Sequence, residues 1–372
     1  MRIEAFFEPM VYVTAKVTHG CNLKCGYCKV DSLSTKAKRM SLETAKRSAR
    51  LLIENSTYPS LWFNMHGGEP LLMDDAWIEE VVDYAKDLAK KNSKEIKFPI
   101  STNGTLLSEE RLLKLRDIGI DFSMSCDGPP KINDLMRKRG KTVVQTYRLF
   151  KKHRIRVGIM AVISRGNYNR MKEVMDWYRE EGIRAFLSNF VEAQGRGSDD
   201  QLLTPQEMFE SAYQILEHMY ETDVSVANDD LLRKVAWFVE GRRNPEALCC
   251  PNLECHAGRH MVAVDMDGGI TTCGSADTSD FLLGHIDRDI DDDQCKSVLN
   301  SFHDKGRWII RCFDCPAKRI CSHGCTTACK KSAVYRENMC QYTRMIWTYL
   351  CEHPEKANHI HQIISGRKGY YV

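Results

Sequence analysis

Three cysteines near the amino terminus, Cys21, Cys25 and Cys28, stand at CxxxCxxC spacing in the run Cys21-Asn22-Leu23-Lys24-Cys25-Gly26-Tyr27-Cys28. Thiolates are the usual ligands of iron–sulfur clusters, and a [4Fe–4S] cube held by four cysteines is coordinatively closed. Three cysteines hold three irons and leave the fourth open to a reactant. A structural zinc site would complete its tetrahedron with a further Cys or His, and the next cysteine in the chain is Cys126.

The chain has 372 residues and 16 cysteines, with 43% hydrophobic and 28% charged residues and a formal net charge of +3. These are values of a globular protein with room for two or three domains. The weak, dispersed charge argues against a nucleic-acid or membrane-surface partner. No apolar run reaches membrane-spanning length and no secretory leader is recognisable, so a cytoplasmic location is expected. Sixteen cysteines without a leader point away from a disulfide framework and toward metal or cluster ligation. An open iron corner is oxygen-sensitive, so a reducing, anaerobic setting is expected.

The elements that must position the cysteine loop follow from periodicity. Apolar or alternating runs at Val11 to Val17, Leu61 to Met65, Ile96 to Ser101, Ile120 to Ser125, Val157 to Ile163 and Ala185 to Asn189 read as strands. Between them lie helical stripes such as Ile78, Val81, Val82, Ala85, Leu88 and Ala89, or Met171, Val174, Met175 and Tyr178. Ser41 and Ser108 are expected N-caps. Six βα units predict an α/β fold with a parallel sheet, too short for a closed eight-stranded barrel and therefore an open, TIM-like (β/α)6 partial barrel. Pro99 is discordant, since proline cannot donate to a central ladder. Ligands of such sheets sit beyond the carboxyl ends of the strands. There the sequence places the cysteine loop, His66-Gly67-Gly68-Glu69-Pro70, Thr102-Asn103-Gly104 and Ser125-Cys126-Asp127-Gly128-Pro129. The expected organisation is a partial barrel over 1–200, a helical connection over 201–245 introduced by Thr204-Pro205, a Cys-rich domain over 246–350 and a tail over 351–372.

The cysteine loop, with an aromatic before its last cysteine, resembles the hallmark of radical S-adenosylmethionine (SAM) enzymes. The resemblance implies a [4Fe–4S] cluster on Cys21, Cys25 and Cys28 whose open iron chelates SAM and cleaves it to a 5′-deoxyadenosyl radical. It assigns Gly67, Gly68, Glu69 and Pro70 to the methionine amino group of SAM; the plain alternative is a strand-to-helix turn. Ser125 and Arg137 match positions that contact ribose and carboxylate, as a forked guanidinium suits. Leu187 matches a position packing on adenine, with a core leucine as the alternative, and Tyr27 lies against adenine or seals the cluster from water.

The carboxy-terminal cysteines resemble a SPASM domain, which carries two auxiliary [4Fe–4S] clusters in radical SAM enzymes that modify peptides and proteins. By that resemblance Cys255, Cys273, Cys325 and Cys249 (or Cys250) hold one, and Cys312, Cys315, Cys321 and Cys340 the other; two zinc ribbons are the alternative. Cys126, Cys295, Cys329, Cys351 and one of the Cys249/Cys250 pair remain as spares. Fully ligated clusters suit outer-sphere electron transfer. The implied activity is that of a peptide or protein maturase, oxidising or crosslinking (thioether or C–C) a side chain of a ribosomally made peptide, with a reducing partner such as flavodoxin or ferredoxin. The alternatives are an anaerobic sulfatase-maturing enzyme forming formylglycine and a non-catalytic iron–sulfur electron carrier. Sulfatase maturases place an Asp proton acceptor immediately after the cysteine matching Cys273. Here Gly274 stands there, and Asp277 is the candidate replacement.

Overall fold

A computed structural model describes residues 10–32, 35–241, 255–276, 281–288, 290–304 and 311–366. Strands β1 (Tyr12–Thr18), β2 (Ser60–Gly67), β3 (Glu95–Thr102), β4 (Ile120–Ser125), β5 (Val157–Ile163) and β6 (Ala185–Phe190) pair in chain order, every neighbour parallel. They alternate with helices α1 (Leu42–Glu54), α2 (Asp75–Lys91), α3 (Glu109–Asp117), α4 (Pro130–Met136), α5 (Gly140–Lys152) and α6 (Met171–Glu181). This is the expected open α/β sheet. Ser41 caps α1 by accepting from Thr44 N, and Ser108 caps α3 by accepting from Arg111 N. Pro99 sits inside β3 opposite Asp121, despite its missing donor.

Side-chain alternation divides the sheet into two chemically different faces. Val13, Ala15 and Val17 of β1, Leu61, Phe63 and Met65 of β2, and Ile120, Phe122 and Met124 of β4 enter the main hydrophobic core with the helical stripes. The opposite, inner face carries Thr14 and Lys16, Asn64 and His66, and Ser123 and Ser125. Closed barrels fill that position with branched apolar side chains. A polar inner face is instead suited to holding a ligand.

Two points of organisation differ from the sequence reading. The connection is not purely helical: between α7 (Pro205–Glu221, with a complete Thr204–Glu207 capping box) and α8 (Asp229–Glu240), β7 (Ala227–Asn228) pairs with β6. The Cys-rich region does not stand apart from the barrel. Its β8 (Met261–Val264) pairs parallel with β1, while β9 (Gly269–Thr271) and β10 (Leu282–His285) add antiparallel, making one ten-stranded sheet. The described part of 351–372 is helical up to Ser365, in line with a segment that starts as helix. After α9 (Asp292–His303) and α10 (Thr326–Lys331), α11 (Ala333–Glu352) runs across its start. Then α12 (Pro354–Ser365) buries Ala357, Ile360 and Ile364, and its Lys356 Nζ donates to Glu217 of α7 at 2.7 and 2.8 Å. The expected boundary near 245, with Cys249 and Cys250, lies outside the described residues.

Candidate functional site

The cysteine loop begins where β1 ends, and its first residues are zipped to the Gly-Gly turn after β2. Gly68 N donates to Thr18 O and Glu69 N to Gly20 O, both at 2.7 Å. The approach leaves no room for side chains: a Cβ on Gly67 (φ +139°) would lie 2.1 Å from Thr18 O, and one on Gly68 would lie 2.1 Å from Gly20 O. Glu69 is fully buried. Its Oε1 accepts from Leu71 N at 3.0 Å and Thr102 Oγ1 at 2.7 Å, its Oε2 from Asn103 N at 2.7 Å. Burial raises its pKa and these hydrogen bonds oppose the shift. Asn103 also reaches the cysteine loop, its Nδ2 donating to Asn22 Oδ1 at 2.9 Å and lying 3.8 Å from Cys21 Sγ. Pro70 opens a short 3-10 turn capped by Glu69.

Cys21, Cys25 and Cys28 lie together with Leu23, Tyr27, Met136, Val162 and Val191 in one apolar cluster separate from the main core. Burial pushes the Cys21 thiol up to about 11; it also raises that of Cys25, against the pull of Arg137. Thiols held in this way shed their protons when a metal binds, which couples loading to pH. Among the described residues no three Cys, His, Asp or Glu side chains converge as a single ion requires. A cube presents separate iron corners and needs no such convergence. His19, just before the loop, is paired with Asp265 at 3.2 Å. The donor set therefore fits an iron–sulfur cluster: three grouped thiols in an apolar setting, beside a glycine cradle and a buried carboxylate.

Around this group the structure places the other expected contacts. Ser125 ends β4. Tyr27 is buried, and its hydroxyl donates to Asp127. Arg137 follows α4 with its Nε 3.0 Å from Asp127 Oδ1 and its guanidinium 5.2 Å from the Tyr27 ring centre. Leu187 of β6 is half-buried, unlike its fully buried neighbour Phe186. Asp127, Asn103 and Arg196 were not among the expected site residues. The strand-end motifs pointed to the first two; nothing in sequence marks Arg196, whose N donates to Cys28 O at 2.9 Å and Nε to Cys25 O at 2.8 Å.

The described carboxy-terminal cysteines fall into local groups. Cys273 and Cys255 share an apolar cluster with Phe281 and Phe302, and burial, then Glu192 and Cys273, raises the Cys325 thiol pKa. Burial raises the Cys340 thiol pKa against the pull of Arg344, with Cys321 and Cys315 adding to the rise, and Cys315 N donates to Cys312 O at 3.3 Å. Of the spares, Cys126, Cys295 and Cys329 are buried and Cys351 is exposed; no described cysteine is in a disulfide. Asp277 lies outside the described residues. The segment after Cys273 docks beside the first cysteine loop. Lys29 Nζ donates to Ser275 Oγ at 2.8 Å, Gln194 Nε2 to Ser275 O at 3.0 Å and Lys16 Nζ to Ala276 O at 2.6 Å. On the same inner face Asn64 Oδ1 and His66 Nδ1 are buried without a hydrogen-bond partner. Burial, then Lys29 and Lys16, lowers the His66 pKa to about 4 and keeps the ring neutral.

An open parallel sheet with a three-thiol loop, a glycine cradle and a buried carboxylate on one rim defines a protein that binds a cluster and a small polar cofactor. Residues 15–178 match the Radical SAM superfamily, so this part of the chain is a radical SAM domain, which implies SAM and a [4Fe–4S] cluster, and the protein is an enzyme. It is 26% identical over 353 residues to the antilisterial bacteriocin subtilosin biosynthesis protein AlbA of Bacillus subtilis (strain 168), covering 91% of this chain and 72% of that protein. It is 23% identical to a cysteine-type anaerobic sulfatase-maturating enzyme of Clostridium perfringens (strain 13 / Type A), covering 85% of this chain and 89% of the enzyme. The fold matches the solved structure of native anSMEcpe with bound AdoMet and Cp18Cys peptide, with TM-score 0.80, 21% identity and coverage of 95% of this chain and 99% of that one. Among the described residues no helix is long and apolar enough to cross a membrane.

Proposed function

We propose that this enzyme is a radical SAM maturase that oxidises or crosslinks, through a thioether or C–C bond, a side chain of a ribosomally made peptide or protein. The observation that carries it is the docking of the Cys273–Ala276 segment onto Lys16 and Lys29, beside the first cysteine loop. A reaction that removes two electrons from a substrate needs an electron acceptor close to where the substrate radical forms. Cys21, Cys25 and Cys28 would hold the SAM-binding cluster. Cys255, Cys273 and Cys325, with Cys249, would hold one auxiliary cluster, and Cys312, Cys315, Cys321 and Cys340 the other. When bound, the reduced cluster and SAM supply a 5′-deoxyadenosyl radical able to take a hydrogen atom from the substrate.

The chain's own residues bind and orient. Gly67 and Gly68 give backbone access, and Glu69, with Pro70 fixing the turn after it, offers its carboxylate to a cationic amino group. Ser125, Leu187 and Tyr27 would line the remaining rim, and Arg137 would offer the N–H groups not facing Asp127 to a carboxylate. The unpartnered Asn64 Oδ1 and His66 Nδ1 are polar atoms available to orient a substrate. A reducing partner such as flavodoxin or ferredoxin and a cytoplasmic, anaerobic setting complete the proposal.

Formylglycine formation on a sulfatase is the second reading, supported by the near-complete overlap with the clostridial enzyme. Gly274 weighs against it. A Cβ there would lie 3.1 Å from Thr14 Cγ2, so an Asp at this position would press on β1. Incubating the reduced protein with SAM tests the class: 5′-deoxyadenosine should form, and Cys25→Ala should abolish it. Persistence in that variant refutes the assignment. Mass spectrometry of a treated short peptide encoded beside the gene then separates the readings. A crosslink keeps sulfur and loses two hydrogens, whereas formylglycine made from cysteine loses the sulfur.

A further inference from the structure

We infer that Asp127 is a positioning residue for the amino-terminal cluster, holding Tyr27 and Arg137 against the cysteine loop so that a buried cation, with its charge balanced, stands beside Cys25. This rests on Cys25 being a cluster ligand. Asp127 is 2% exposed and Arg137 9% exposed. The carboxylate is fixed from three sides: its Oδ1 accepts from Val162 N of β5 at 2.9 Å and faces Arg137 Nε at 3.0 Å, while its Oδ2 accepts from the Tyr27 hydroxyl. Its own backbone N donates to Asn133 Oδ1 of α4 at 3.2 Å. A second tie joins the same two segments, because Gly26 N donates to Met136 O at 3.0 Å. Gly26 and Met136 are the chain neighbours of Cys25 and Arg137, so the guanidinium is held close to that cysteine while also lying over the Tyr27 ring.

The consequence is electrostatic. The potential of an iron–sulfur cluster follows the charge, hydrogen bonding and solvent exposure around it, and groups outside the ligands set both orientation and electronics. A buried Arg paired with a buried Asp is nearly neutral at a distance. Removing either member leaves the other bare in a poorly screened setting. Losing the carboxylate makes the surroundings more positive and favours the reduced cluster; losing the guanidinium does the reverse. A residue that only maintained the fold would not give opposite signs.

The test is a redox titration of the anaerobically reconstituted full chain, followed by electron paramagnetic resonance. The amino-terminal cluster is identified as the signal perturbed by SAM and lost in Cys25→Ala. Asp127→Asn should raise its midpoint potential and Arg137→Gln should lower it. Arg137→Lys should restore a value near the wild type. Tyr27→Phe, which changes no charge, should leave the potential in place and speed iron loss to a chelator. If Asp127→Asn fails to load, the contrast between Arg137→Gln and Arg137→Lys carries the same test. Equal or same-direction shifts overturn the inference. Survival of the signal in Cys25→Ala overturns instead the cluster assignment beneath it.

Discussion

The zipper between the Gly-Gly turn and the residues before Cys21 makes Gly68→Ala the most quantitative perturbation in the molecule. A methyl group there would sit 2.1 Å from Gly20 O, 2.6 Å from Ser32 Oγ and 2.7 Å from Gly20 C. Ser32 can rotate away, but the Gly20 carbonyl is backbone and must be displaced by roughly an ångström, a severe case of overpacking. That movement breaks the bonds from Gly68 N to Thr18 O and from Glu69 N to Gly20 O. Two backbone hydrogen bonds at about 1 kcal/mol each, with about 1–3 kcal/mol of overpacking strain, give a loss of about 3–5 kcal/mol. A domain of ordinary stability has only about 5–15 kcal/mol. Guanidinium denaturation under anaerobic conditions should show the loss as a lower midpoint, and calorimetric titration should show SAM affinity reduced by about tenfold or more, a factor equal to about 1.4 kcal/mol. Gly158→Ala on β5 is the control, since its Cβ would meet nothing closer than 3.8 Å. If Gly68→Ala denatures and binds SAM as Gly158→Ala does, the cradle reasoning is wrong.

Other expectations follow from the same rim. Glu69→Gln should weaken SAM binding by about tenfold to a hundredfold, the worth of a charge-assisted hydrogen bond of about 1.5–3 kcal/mol; unchanged calorimetric affinity would remove Glu69 from the cofactor site. Because burial raises the folded pKa of Glu69, its contribution is fully present below the ordinary carboxylate value and lost as pH rises through the folded pKa. Wild-type stability should therefore fall relative to Glu69→Gln as pH rises across that window. His66 has the opposite sign: its pKa is depressed to about 4, so its contribution is present above the ordinary value of 6.5 and lost as pH falls toward 4. Denaturation midpoints of wild type and His66→Asn should diverge across that interval, and parallel pH curves would place His66 in a wetter setting. Among the cysteines, Cys25→Ala, Cys273→Ala and Cys321→Ala should each lower bound iron by about four per chain. Cys126→Ala and Cys295→Ala should leave iron unchanged, and loss of iron in either would redraw the ligand sets.

Strands β4 and β5 start and end where their apolar runs do, and the other four expected strands differ by one or two residues at one or both ends. Local signals suffice there because each strand has a strong one-sided pattern and a capped helix after it. Motif placement was legible for the same reason: a loop that follows a parallel strand must lie on the carboxyl rim. What periodicity could not carry was partner choice at long range. Met261–Val264 is a four-residue apolar run that could join any edge, and nothing in it specifies pairing with Tyr12–Ala15. Nor does the helical stretch Pro354–Ser365 announce in sequence that its Lys356 will reach Glu217. Asp127 was visible at a strand end, but its engagement of Tyr27, a hundred positions earlier, is a tertiary fact.

That long-range pairing changes how the two cysteine-bearing halves relate. An open parallel sheet exposes an edge at β1, and exposed edges invite unwanted pairing. Here β8 covers that edge, and the turn and strand beyond it bring Cys273 round to the rim above Thr14. Lys16, on β1 itself, then donates to Ala276, while Lys29, directly after Cys28, donates to Ser275. The strand that starts the barrel thus fixes the position of both cysteine groups, one through its carboxyl end and the other through its edge. Their separation is set by a shared rigid element rather than by a linker. In the proposed function, electron transfer between clusters held in this way would depend on backbone register, so substitutions in β1 that leave every cysteine untouched would alter it.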